Sequence, residues 1–261
     1  MTGRTGGVLY DIDGVLVRSW QEIPGAAEAV RRISEDGLRR AFLTNTTSRT
    51  RAEIAERLCA AGIEVAPDEI VTAARLTVEY LRRTHPDARV WVLNHGDIAV
   101  DLAELRLVDT DPEVVVLGGA GEEFTHRALS RVVELMLDGV PVVAMQGGLT
   151  WATADGLRID TGAYLPGLRA AGHAEITVVG KPSETGFRTC AAMMDLAPEN
   201  VVMIGDDLHS DVLAAQAVGM VGVLVRTGKF HPAVLASARP VHPDHIIDSV
   251  ADLPALLSRN G

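Results

Sequence analysis

The feature that most restricts what this chain can fold into is an alternation of two patterns. Short, uninterrupted runs of Val, Ile and Leu are followed by stretches whose apolar residues recur every three to four positions. The runs fall at 8–13 (VLYDID), 39–44 (RRAFLT), around Ile70 and Val71, and at 89–93, 114–117, 141–145, 176–179 (ITVV), 200–205 (NVVMIG) and 220–226 (MVGVLVR). Between them the spacing predicts helices over 24–37, with Ala27, Val30 and Ile33 on one face, and over 48–62, with Ile54, Leu58 and Cys59 inward. Further helices are predicted over 74–83 and 125–138, through Phe187, Cys190, Ala191 and Met194, and over 212–219. A strand apolar at every position is covered on both faces, which in a strand–helix chain means a parallel sheet with helices on each side. The expected class is α/β, a doubly wound parallel sheet, and ligands of such sheets bind beyond the carboxyl ends of the strands.

Composition narrows the partners. The chain has 261 residues, room for one large or two modest domains, and a net charge of −11. That charge repels nucleic-acid backbones and anionic membranes, so neither is an expected partner. No apolar run approaches the roughly 20 residues that cross a bilayer. The N-terminus lacks a basic-then-apolar signal layout, so a cytoplasmic location is expected. Cys59 and Cys190 belong to no CxxC or zinc pattern and read as buried, reduced thiols.

Four strand ends carry polar residues of one chemical theme. The first is DID (11–13): a period-two strand would point Asp11 and Asp13 to one side, unless the chain already turns there. One acid could attack an electrophile while the other moves a proton; alone, the pair is also an ordinary strand-to-turn acid pair. The second is TNT (44–46), whose hydroxyl, carboxamide and backbone N–H groups suit phosphate oxygens, and which equally suits a helix start at Thr47 or Ser48. The third is Gly180-Lys181-Pro182, where Lys181 stands just past an apolar strand. The fourth is GDDLHSD (205–211), with Asp206, Asp207 and Asp211. Carboxylates near 4 Å repel by about 4 kcal/mol per pair at an effective dielectric near 20. An acid cluster of this kind calls for a cation, and an all-oxygen donor set points to Mg²⁺.

In this order, D-x-D, T-N, G-K-P and G-D-D-x-x-x-D, the chain resembles the haloacid dehalogenase (HAD) superfamily over essentially its whole length. The stretch MIGDDLHSDVLAAQAVGMVGVLVRTGKF resembles the NagD-like (class IIA) branch. The resemblance implies a Rossmann-like core and a Mg²⁺-dependent phosphatase acting on a small phosphorylated metabolite. By resemblance, Asp11 is the nucleophile that forms an aspartyl-phosphate, and Asp13 is the acid and then the base. Lys181 neutralises the transferred group. Thr44, Asn45 and Thr46 bind phosphoryl oxygens, and Mg²⁺ is held by Asp11, the backbone carbonyl of Asp13, and Asp206. Asp207 and Asp211 are expected behind the metal, with direct ligation by Asp207 left open. An acid at Asp13 favours ester cleavage, because halide needs no protonation to leave. A homodimer is expected by resemblance only.

Motif spacing locates an insertion. About 30 residues separate Asp13 from Thr44, and about 135 separate Asn45 from Lys181. The surplus is enough for a small α/β cap of the C2 type, placed at 86–176 within a core of 1–85 and 177–261, with hinges near 85–89 and 175–179. A cap of this kind closes over the site and excludes water. The segment 147–165 resembles the family's substrate-specificity loop, with Asp160, Thr161, Gly162 and Tyr164 expected at its tip and Gln146 facing the pocket. LGGAGEEF (117–124) fails G-x-G-x-x-G and reads as a turn. His209, inside the acidic loop, is not needed as a base, and His231, His242 and His245 read as surface residues.

Two readings from other classes compete. A phospho-aspartate receiver module uses similar residues, but runs near 120 residues without a cap. A binding or scaffold protein on the same fold is opposed by the intact motif set. Within enzymes, the alternative is hydrolysis of pyrophosphate, phosphohistidine or phospholysine.

Overall fold

The computed structural model describes residues 5–153, 156–232 and 241–259. The chain divides into two compact units, one of Met1–Thr44, Arg51–Val71 and Gly186–Gly261, the other of Asn45–Thr50 and Thr72–Thr185.

The first unit is built on a six-stranded sheet in the order His245–Ile247, Val221–Val225, Val201–Gly205, Gly7–Asp11, Arg39–Thr44, Ile70–Thr72, with the first four pairings parallel. The two central strands, GVLYD and VVMIG, are buried at every position, as expected of strands covered on both faces. Alternate residues serve alternate faces. Val8, Tyr10, Val202, Ile204, Val223 and Val225 share one cluster with the helices Ala26–Glu35 and Arg51–Ala60. Leu224, between two of them, faces Leu208 and Val212 instead. Helix Ala26–Glu35 buries Ala26, Ala29, Val30 and Ile33, the one-sided spacing of an amphipathic helix.

The second unit holds a five-stranded parallel sheet in the order Ile176–Val178, Val142–Ala144, Val114–Leu117, Arg89–Leu93, Arg106–Leu107. Val114 and Val116 pack with Ala74, Val78 and Leu81 of helix Ala73–Thr84. Val115 and Leu117 pack with Val132 and Met136 of helix His126–Leu137, and with Leu165 and Leu168 of helix Thr161–Gly172. The sequence places helix 74–83 in the 1–85 segment. The compact unit begins at Thr72, because the apolar face of that helix lies on this second sheet. An antiparallel hairpin, Thr150–Thr153 with Gly156–Ile159, completes the unit.

The structure corrects four local expectations. Helix Arg51–Ala60 buries Ile54, Ala55 and Leu58, and Cys59 is exposed near its end, whereas Cys190 is buried. Residues 161–165, expected in a loop, start helix Thr161–Gly172. The helix expected at 212–219 is entered through a π-helical turn, Leu208–Leu213, and its α-helical part is only Ala214–Ala217. His245 opens the edge strand His245–Ile247 and is half-buried, not a residue of a surface turn. No helix among the described residues is long and apolar enough to cross a membrane.

Candidate active site

Asp11 is the last residue of the Gly7–Asp11 strand. In the parallel register Tyr10 pairs with Ile204 and Asp11 with Leu43. Asp11, Thr44 and Asp206 therefore end or directly follow three neighbouring strands on the same edge of the sheet. All three are buried: Asp11 is 5%, Thr44 8% and Asp206 2% exposed. Asp211 joins them from the following turn, and one carboxylate oxygen from each of Asp11, Asp206 and Asp211 lies within 4.8 Å of the others. Asp211 was expected behind the metal; its carboxylate is a member of this cluster.

The backbone makes this approach feasible. A Cβ on Gly205 would stand 2.3 Å from Cβ of Asp211, so only glycine admits that side chain. Asp206 is held between two glycine turns. Gly14 (φ +83°) and Gly228 (φ +65°) leave no room for a Cβ, which would lie 2.1 Å and 2.0 Å from Asp206 Oδ2. The same oxygen accepts a hydrogen bond from Lys229 N at 2.7 Å, and Thr227 Oγ1 donates to Gly14 O at 2.5 Å. Gly14, Thr227, Gly228 and Lys229 were not singled out for the site. For the last three the signal was the T-G-K run just past a buried strand.

Asp207 plays another part. Its Oδ1 accepts from His209 N and Ser210 N, both at 3.0 Å, capping the turn that carries Asp211. Its own N–H donates to Asp211 Oδ2 at 3.1 Å. Partial burial pushes its pKa up, but the main-chain hydrogen bonds and the charge of Lys229 outweigh this and hold it below the usual carboxylate value. Asp13, beyond the strand, is exposed and bridges to Val17. A cavity of about 160 Å³ adjoins Asp206 and is lined also by Asp207, His209, Lys229, Phe230 and His231. Both histidines thus border the acidic turn.

In the second unit, Asn45 and Lys181 meet. The Asn45 carboxamide accepts from Lys181 N and donates to Lys181 O, each at 2.9 Å. Lys181 is 7% exposed, its peptide bond to Pro182 is cis, and Thr46 is half-buried. Asn94, outside the motifs, accepts from Gly119 N at 2.8 Å and donates to Thr47 O at 3.0 Å, tying the segment after TNT to two strand ends.

The residues expected to choose the substrate are woven into the second unit. Asp160 caps helix Thr161–Gly172, its Oδ1 accepting from Thr161 N at 2.7 Å and from Ala120 N at 2.9 Å. Thr161 Oγ1 donates to Gly118 O. Gly162 passes so close to the 147–148 main chain that a Cβ would lie 2.2 Å from Gly147 O. Tyr164 stacks at a tilt on Phe124, centroids 5.5 Å apart. Gln146 is buried and accepts from Gly148 N. The tip of the preceding hairpin lies outside the described residues.

Three hard oxygen donors from buried carboxylates fit a divalent cation of the Mg²⁺ type, and among the described residues no thiol or imidazole belongs to the cluster. The family model described as haloacid dehalogenase-like hydrolase matches residues 8–107, and one described as HAD-hydrolase-like matches 178–253. Haloacid dehalogenase-like hydrolase domain-containing protein 2 of Mus musculus is 38% identical over 230 residues, covering 87% of this chain and 86% of that one. Phospholysine phosphohistidine inorganic pyrophosphate phosphatase of Danio rerio is 37% identical over 234 residues, covering 87% and 85%. The structure of a p-nitrophenyl phosphatase from Archaeoglobus fulgidus superposes with a TM-score of 0.89 at 30% identity, covering 97% of this chain and 100% of that one. With the strand-end carboxylates, the parallel sheets and these relatives in agreement, the chain belongs to the haloacid dehalogenase-like hydrolase family, in its class IIA phosphatase branch.

Proposed function

We propose that the chain is a Mg²⁺-dependent phosphatase of small phosphomonoesters that works through an aspartyl-phosphate on Asp11. The observation that carries this is the buried cluster of Asp11, Asp206 and Asp211 at the strand ends. Carboxylates buried this close to one another repel. At an effective dielectric near 20 each close pair costs about 4 kcal/mol, so the arrangement calls for a bound cation.

In the first step the Asp11 carboxylate attacks phosphorus, the ester P–O bond breaks, and Asp13 gives its proton to the leaving alkoxide. Asp13, just beyond the strand, is exposed to solvent. In the second step Asp13 takes a proton from water, the hydroxide attacks the acyl phosphate, and phosphate leaves with Asp11 restored. Thr44, the Asn45 main chain and Thr46 bind phosphoryl oxygens, and Lys181 balances their charge. Asp11, Asp206 and Asp211 would hold Mg²⁺, joined by the Asp13 carbonyl, and Asp207 would orient the turn beneath. The ion supplies positive charge that lets a carboxylate approach a phosphate dianion. A homodimer belongs to the same proposal by resemblance, and sedimentation tests it.

A second reading is hydrolysis of P–N or P–O–P bonds, favoured by the phospholysine phosphohistidine inorganic pyrophosphate phosphatase at 37% identity. A panel of phosphorylated metabolites, pyrophosphate and p-nitrophenyl phosphate separates the two. Phosphate release should require Mg²⁺, stop on chelation, and vanish in Asp11→Asn. A rate indifferent to chelation would remove the metal from the proposal.

A further inference from the structure

The TNT segment contains a carboxamide that the phosphate-binding reading would aim at the substrate. Its hydrogen bonds go elsewhere. Asn45 Oδ1 accepts from Lys181 N and Asn45 Nδ2 donates to Lys181 O, both at 2.9 Å. One side-chain amide thus pairs with both main-chain groups of one residue, as a neighbouring strand would. Pairing of this kind fixes the lysine main chain, with N–H and C=O turned to the carboxamide, and so sets the direction in which the Lys181 side chain departs. Lys181 is buried. Its ammonium therefore has little freedom to correct an error in the main chain.

The neighbouring glycine belongs to the same device. A Cβ on Gly180 would lie 2.8 Å from Asn45 Oδ1 and 2.4 Å from Met145 O. Gly180 N in turn donates to Met145 O at 2.8 Å, and Ser183 N to Gly180 O at 2.9 Å. The carboxamide reaches Lys181 because position 180 has no side chain. An aspartate at 45 could accept from Lys181 N but would set a carboxylate against Lys181 O. Serine or alanine would not span the distance.

We propose that Asn45 is the positioning residue of Lys181: its side chain acts on the reaction through the lysine main chain, and its contact with phosphate is confined to its own main chain. This rests on the phosphatase reading, in which Lys181 balances the phosphoryl charge. Misplacing a charged group by about 1 Å is enough to cost on the order of 100-fold in rate.

The test is a double-mutant cycle on kcat for p-nitrophenyl phosphate, with Asn45→Ala, Lys181→Ala and the double variant, each checked by its thermal unfolding midpoint. Asn45→Ala is expected to lower kcat by about 10- to 100-fold on the wild-type background and by less than about 3-fold on the Lys181→Ala background. Inhibition by inorganic phosphate should weaken no more in Asn45→Ala than in Lys181→Ala. Additive losses would make Asn45 an independent phosphate ligand and overturn the proposal. If Asn45→Ala does not fold, isosteric Asn45→Asp takes its place in the cycle. Unfolding of both, with Lys181→Ala intact, would assign the clamp to stability and overturn the proposal as well. A wild-type protein inert toward the whole panel of phosphates, by contrast, brings down the phosphatase reading itself.

Discussion

At the residue scale, the site is a set of side chains placed against their own electrostatic preference. Asp206 is accommodated only because Gly14 and Gly228 withdraw from it, and Gly14 also sits at φ +83°. Gly14→Ala combines backbone strain with a clash at the carboxylate. It should cost about 1–3 kcal/mol in urea unfolding and weaken Mg²⁺ binding measured by calorimetry; unchanged binding would detach the glycine turn from the metal. Tyr10 shows the opposite situation. Its ring stacks on Phe42 at 5.2 Å, and its hydroxyl is buried with no hydrogen-bond partner among the described residues. Burial raises its pKa, against a smaller lowering by Arg40. A folded pKa above the unfolded value of about 10 makes this contribution to stability complete below that pH and progressively lost above it. Tyr10→Phe should therefore be neutral or slightly stabilising at pH 7, and should flatten the decline of the unfolding midpoint above pH 10. A loss above about 2 kcal/mol at pH 7 would show that the hydroxyl is satisfied.

At the element scale, helix Thr161–Gly172 shows how packing overrides propensity. Gly162, Pro166 and Gly167 all disfavour a helix, and the loop expected from the sequence runs on to residue 165. Leu165 and Leu168 nevertheless reach the apolar face of the second sheet, and Asp160 closes the first turn. Asp160→Ala removes acceptors for two N–H groups and should cost about 1–2 kcal/mol in denaturant unfolding. If kcat/KM for a phosphate ester falls while stability holds, Asp160 also serves the substrate role expected of it. The strands behave differently. Runs such as VVMIG and VVVL formed where they were expected, because burial on both faces leaves one pattern of residues that suits them.

At the scale of the whole molecule, a chain of net charge −11 concentrates three of its acids in one buried cluster. On the proposed function a bound cation would offset their mutual repulsion, and folding and Mg²⁺ binding would then be linked. Saturation at about 100 times Kd is worth about 2.7 kcal/mol. Mg²⁺ should raise the unfolding midpoint by several degrees, while an equal ionic strength of NaCl should not. Asp206→Asn should abolish most of that response. A midpoint that rises equally in both salts would reduce the effect to general charge screening.

The sequence alone determined the strand ends and the type of residue found there, because continuous apolar runs and their punctuation are local properties. It located Asp11, Thr44, Lys181 and Asp206 at those ends. It could not say what each polar side chain would meet. Asn45 finds Lys181 across 136 positions, Asp207 turns back to cap its own loop while Asp211 reaches Asp11, and Cys59 ends up in solvent. Such outcomes depend on which hydrogen bonds and clearances the packed chain leaves open. Distances of a few tenths of an ångström decide them, and these exist only once the sheets and their glycine turns have formed.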